Sequence, residues 1–118
     1  MDLVLKEKKK SVVVKIIGEI DQHNAEELRE SVDKAFDRSR CKHMIFDFSA
    51  VSFMDSSGIG LLIGRYKSVK VRGGSVAIAG MNRELSRIYA ISGLKKIMKC
   101  YVSIEEAEKE LESLAEQT

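Results

Sequence analysis

Met44-Ile45-Phe46-Asp47-Phe48, followed shortly by Phe53-Met54-Asp55-Ser56-Ser57-Gly58-Ile59-Gly60, is a strand pattern handing over to a helix pattern. The first run is apolar except for Asp47, which predicts a central, largely buried strand over 44–48. The second opens a helix expected from Ser56 to Val71, closed by Gly73-Gly74, the residue type that tolerates a left-handed cap. Asp55 is the expected N-cap, which puts Ser56 and Ser57 in the first turn. At about 100° per residue, Ile59, Leu62, Ile63, Tyr66 and Val69 share the face expected to pack on a sheet. Ser56, Gly60 and Gly64 form a different stripe. Glycine inside a helix costs ~1 kcal/mol relative to alanine, so the stripe calls either for close packing or for a flat surface beside Ser56 that receives a partner.

Working outward, Leu3 to Leu5 and Ser11 to Ile17 are short aliphatic runs separated by Lys6, Lys8, Lys9 and Lys10, a pattern that predicts an N-terminal hairpin with a solvated turn. Gly18-Glu19-Ile20-Asp21 is expected as a loop. Asn24 with Glu27 fits a capping box, so a helix is expected from there to about Ser39, with Ala25, Leu28, Val32, Ala35 and Phe36 on one face. Beyond the central helix, Ser75 to Ala79 reads as a strand and Arg83 to Ile91 as a helix carrying Leu85, Ile88 and Tyr89. Gly93 follows as its cap, and Lys96 to Val102 reads as a last strand. Ser103 and Glu106 form a second capping box before a helix carrying Ala107, Leu111 and Leu114. The expected order is β-β-α-β-α-β-α-β-α. This is an α/β sandwich with a mixed, mostly parallel sheet, an antiparallel N-terminal hairpin and about four helices.

The chain has 118 residues, which suits a single domain over 1–118. Its 20 Lys and Arg against 18 Asp and Glu are too balanced to argue for wrapping nucleic acid. Cys41 and Cys100 lack CxxC spacing and are expected as free thiols. No apolar run approaches the ~18 residues that span a bilayer, so no membrane association and a cytoplasmic location are expected.

Catalysis finds little support. The esterase elbow is G-x-S-x-G, and Met54 stands where its first glycine belongs. The histidines, His23 in a loop and His43 at a strand start, are poorly placed as a general base. There is no G-x-x-x-x-G-K-[ST] phosphate loop or dinucleotide fingerprint. Asp21, Asp47 and Asp55 sit in ordinary cap or turn settings, so no metal and no cofactor are expected. Ser56 is physically suited to phosphorylation, because a phosphate at a helix N-terminus meets free N–H groups and the positive end of the helix dipole. Spacing by itself favours ordinary helix capping for the two serines.

With these motifs in place, the chain resembles the STAS domains, and among them the stand-alone anti-sigma factor antagonists of the sporulation (SpoIIAA-like) type. The resemblance covers nearly the whole chain. Its carriers are Gly18-Glu19-Ile20-Asp21, residues 53–60, Gly64-Arg65-Tyr66-Lys67, Gly73-Gly74 and Ser92-Gly93-Leu94, with Asp-Ser-Ser-Gly the most specific. It implies a non-enzymatic protein that binds an anti-sigma factor, itself an ATP-dependent serine kinase, and so frees a sigma factor. Phosphorylation of Ser56 by that kinase would end the association, and a serine phosphatase would reset it. Asp21, Asp55, Ser57, Gly58, Gly60 and Gly64 would serve partner binding, with Ser57 supporting the loop and Asp55 orienting it. A constitutive STAS scaffold in a stress-signalling or transport complex is the alternative implied by the fold, and a nucleotide-binding protein is a third reading.

Overall fold

The computed structural model describes residues 2–116, and the surroundings of side chains through residue 113. The chain runs β1 (Asp2–Lys8), β2 (Ser11–Ile20), α1 (Ala25–Arg38), β3 (His43–Met54), α2 (Ser56–Val71), β4 (Val76–Ala79), α3 (Arg83–Ile91), a 3-10 turn (Leu94–Lys96), β5 (Lys99–Tyr101) and α4 (Ile104–Glu116). The sheet order is β1-β2-β3-β4-β5, with β1–β2 antiparallel and every later pair parallel. The expected order of elements and the mixed sheet are both observed.

Right-handed crossovers that always step to the next strand in one direction must place their helices on one face. Accordingly α1, α2 and α3 share a face. Leu28, Val32 and Phe36 of α1, Leu61, Leu62 and Val69 of α2, and Leu85 of α3 join Val12, Val14, Ile16, Met44, Phe46, Phe48 and Ile78 in the main core. The alternate strand residues Val13, Ile45, Ala77 and Ala79 face the other way and meet Ala107 and Leu111 of α4 in a smaller core. Leu114, expected on the same helix face, lies outside the residues whose side chains are described.

Several expected boundaries move. β2 continues through Gly18-Glu19-Ile20, where a loop was expected, because these residues pair with Val51, Phe53 and Met54 of β3. β3 is correspondingly longer than 44–48 and runs straight into the serine motif. The expected strand over 96–102 shrinks to Lys99–Tyr101. Leu94 and Met98 are both buried, an i, i+4 spacing that suits a helical turn rather than strand alternation. Gly93, at φ 89°, turns the chain into that 3-10 segment, and the Tyr89 hydroxyl donates to the Met98 carbonyl at 2.7 Å.

The charge clusters that lie far apart in sequence meet in space. The hairpin turns at Lys9, with Lys8 Nζ 3.6 Å from Glu108 and Lys9 Nζ 2.7 Å from Glu112 on the acidic α4. Both cysteines are free, Cys41 buried and Cys100 exposed. Among the described residues, no helix is long and apolar enough to cross a membrane.

Candidate functional site

Because β2 and β3 are parallel neighbours, the loops that follow them emerge side by side at the carboxyl edge of the sheet. This brings the β2–α1 loop, with Asp21, against the start of α2, with Asp55 and Ser56. Asp55 joins the two. Its backbone N–H donates to the Ile20 carbonyl at 3.1 Å, its Oδ1 accepts from Ser57 N–H at 2.8 Å, and its Oδ2 accepts from Gln22 N–H at 3.2 Å. One carboxylate therefore caps α2, as expected, and also holds the neighbouring loop.

The loop is closed from within. Asp21 Oδ1 accepts from His23 N–H at 2.9 Å and Asn24 N–H at 3.2 Å. The capping box expected at Asn24 does not form. Asn24 stands at the N-cap position, but its Oδ1 accepts from Asp21 N–H at 3.0 Å and its Nδ2 donates to the Glu19 carbonyl at 2.8 Å. Its hydrogen-bonding capacity goes to shaping the loop instead of capping α1.

Ser56 is exposed in the first turn of α2, and among the described residues its hydroxyl takes no part in the capping network. α2 has no acidic residue in its first turn, whereas α1 has Glu26 and Glu27, α3 has Glu84, and α4 has Glu105 and Glu106. The positive end of α2 is thus met by the Asp55 cap alone, which leaves it suited to an added anion.

The three glycines expected at the partner surface separate into two kinds. A Cβ at Gly58 would lie 2.1 Å from Met54 Cγ and 3.2 Å from Ile20 Cγ2, so Gly58 is a packing residue under the helix and not part of an open surface. Gly60 and Gly64 have open space where a Cβ would go, so close packing does not account for them. The expected inward stripe also shifts. Gly58, Leu61, Leu62, Arg65 and Val69 are the buried residues of α2, while Ile59, Ile63 and Tyr66 are only partly covered. The helix lies close on the sheet at Gly58, which rotates the buried stripe toward that glycine.

Three features were not anticipated from the sequence. Arg65 is buried, with Nε 2.9 Å from Asp33 Oδ1, and ties α2 to α1. Burial pulls its guanidinium below the usual arginine range, opposed by the Asp33 charge. Phe53 stands exposed at the end of β3, although an aromatic residue in a strand is ordinarily expected inside. The bridge through Gln22 N–H had no signal in side-chain pattern at all, since it uses the backbone. Asp47, Asp21 and Asp55 are each engaged by backbone amides. Among the described residues no group of three or more His, Cys, Asp or Glu is arranged to hold a metal ion. His43 is buried, and its Nδ1 accepts from Ser75 N–H at 3.0 Å. Burial, helped by Lys42 and Lys10, holds its pKa below the ordinary histidine value, and it clamps two strand starts far from Ser56.

The stretch that carries this serine at a capped helix start, beside an aspartate loop, lies within residues 2–107, which match the family model of the STAS domain. The chain belongs to the STAS family. An anti-sigma F factor antagonist from Paenibacillus polymyxa is 38% identical over 101 residues, 86% of each chain. Among solved structures, the anti-sigma factor antagonist SpoIIAA in its unphosphorylated form is similar at 27% identity, covering 95% of this chain and 97% of that one with a TM-score of 0.83. The Bacillus cell fate determinant SpoIIAA in its phosphorylated form is similar at 28% identity, covering 92% and 98%, with a TM-score of 0.72. This STAS chain therefore has relatives of the regulatory kind, and one of them is known in both phosphorylation states.

Proposed function

We propose that this chain is a single-domain, non-enzymatic anti-sigma factor antagonist whose unphosphorylated form binds an anti-sigma factor that is also a serine kinase, releasing a sigma factor. Phosphorylation of Ser56 ends the association, and a serine phosphatase restores it. The observation that carries the reading is Ser56 itself, an exposed hydroxyl in the first turn of a helix whose N-terminus is capped by Asp55 but whose first turn holds no acidic side chain. A phosphate there meets the positive helix end, so the fold survives the modification. It also adds about −2 charge and a bulky group beside the bare backbone of Gly60 and Gly64, which excludes a partner fitted to the hydroxyl.

The remaining residues take roles that follow from their contacts. Asp55 positions Ser57 and the Gln22 amide together, and Asp21 shapes the adjoining loop, so loop and helix start present one surface. No cofactor, nucleic acid or membrane enters this cycle, and its place is the cytoplasm. Isothermal titration of a purified anti-sigma factor kinase against wild type, Ser56→Ala and Ser56→Asp tests the scheme. Ser56→Ala should bind as wild type and resist phosphorylation by kinase and ATP, read by mass spectrometry, while Ser56→Asp should bind more weakly. Equal binding of all three, or phosphate appearing on Ser56→Ala, would refute it.

A further inference from the structure

β3 pairs with β4 only as far as Asp47, then continues from Phe48 to Met54. Over Ala50–Met54 its strand partner is the end of β2, Ile17–Ile20. The two strands form a tongue that outruns the rest of the sheet. Its far edge is approached by Gly80, packed on Ser49, and by Asn82, whose Nδ2 donates to the Val51 carbonyl at 3.3 Å. α4 packs over Val13, Ile45, Ala77 and Ala79, all before the tongue, and so does not cover its outer side.

The tongue sorts its side chains sharply. Ile20, Val51 and Met54 turn into the main core and are buried. Ile17 and Phe53 do not, and remain 37% and 45% exposed. Burying a phenylalanine is worth roughly 1.5–3 kcal/mol, and that stabilisation is only partly realised at Phe53. Aromatic side chains are enriched in protein interfaces because they bury much area at little entropic cost. Only Met54 and Asp55 separate Phe53 from Ser56, so an interface of standard size, about 800 Å² per partner, reaches both.

We infer that Phe53, paired in the register with Glu19 and diagonal from Ile17, is the apolar anchor with which the protein docks the anti-sigma factor, the affinity coming from the outer side of the β2–β3 tongue and the switch from Ser56. The inference rests on the antagonist reading above, and it adds a surface on the opposite side of the rim from the glycine stripe. It requires the partner to present an apolar socket beside its phosphoryl-transfer site. It also makes anchor and switch separable: losing the anchor weakens the unphosphorylated complex without touching the hydroxyl that receives the phosphate.

The test uses the full chain, unphosphorylated, titrated against a purified anti-sigma factor kinase. Phe53→Ala should weaken binding by about 10-fold or more while the domain stays folded with only a modest drop in melting temperature, because the side chain is half exposed and outside the core. In phosphorylation kinetics it should raise KM and leave kcat unchanged, the signature of lost uniform binding. Phe53→Leu, which keeps an apolar side chain, should recover most of the affinity and guards against a folding defect. Ile91→Ala is the control, since Ile91 is 78% exposed at the far end of α3, and it should bind as wild type. Phe53→Ala binding within about twofold of wild type, or no tighter a dependence on Phe53 than on Ile91, would overturn the anchor. A kinase that binds wild type but ignores Ser56→Asp refutes the switch and leaves the anchor standing, whereas a kinase that fails to bind wild type refutes both.

Discussion

α1 and α2 leave the same edge of the sheet from adjacent parallel strands, yet they begin in opposite ways. α1 opens with Glu26 and Glu27, and the Asn24 side chain before it turns back into the loop. α2 opens with Ser56, Ser57 and Gly58, and the Asp55 side chain before it closes on the helix. α1 has its positive end answered by two acids of its own first turn and is finished as a structural element. α2 has a cap but no acid in its first turn, and its third residue is pressed onto the sheet. The helix end suited to a phosphate is the one that sequence left without a first-turn charge.

The third helical position should show the contrast most strongly. Glu27 is exposed, whereas Gly58 is buried against Met54 and Ile20. Gly58→Ala is expected to cost about 1–3 kcal/mol through overpacking, and Glu27→Ala to stay within about 0.5 kcal/mol, both read from urea midpoints. Equal effects would mean that α2 can lift off the sheet as easily as α1.

Next come the two residues before the helices. Asp55→Ala removes a cap and the hold on Gln22, with an expected loss of about 1–2 kcal/mol. Asn24→Ala removes loop hydrogen bonds near solvent and should cost less, about 0.5–1 kcal/mol. Hydrogen exchange at Ser57 and Gln22 amides should rise together in Asp55→Ala, since one carboxylate receives both. If only Ser57 responded, the bridge between loop and helix would be absent in solution.

Gly60→Ala sets the outer side of α2 against the inner. With open space at that position it should gain up to about 1 kcal/mol of stability while weakening partner binding, a separation that Gly58→Ala cannot give. A destabilised Gly60→Ala would remove the distinction between the two glycines. The smallest effect is electrostatic. Ser56→Asp should stabilise α2, and Glu27→Gln destabilise α1, by about 0.3–1 kcal/mol each at low salt, fading as salt is added. A destabilising Ser56→Asp would show that the Asp55 charge outweighs the helix end.

Much of the fold was legible because its signals are local. The α2 boundaries, the Asp55 cap and the Ser103 cap, whose Oγ accepts from Glu106 N–H at 3.2 Å, all lie within a few residues of their partners. The element order followed from hydrophobic period, and the parallel pairing of the later strands from crossover handedness. Ser56 as the candidate switch was legible from the same stretch. The length of β3 was not, because its second half is held by β2 residues more than thirty positions away in the chain.

By itself, then, the sequence determined the order of the elements, the helix start at Asp55-Ser56-Ser57 and the presence of a glycine stripe, all set by hydrogen bonds and apolar spacing over three or four residues. Tertiary structure decided the rest. Parallel pairing of β2 with β3 set the Asp21 loop against Asp55, and contact with Met54 and Ile20 made Gly58 a packing residue while Gly60 stayed open. Burial between helices joined Arg65 to Asp33. Each of these depends on which elements become neighbours, a choice made by the sheet order and the packing of the whole domain rather than by any single segment.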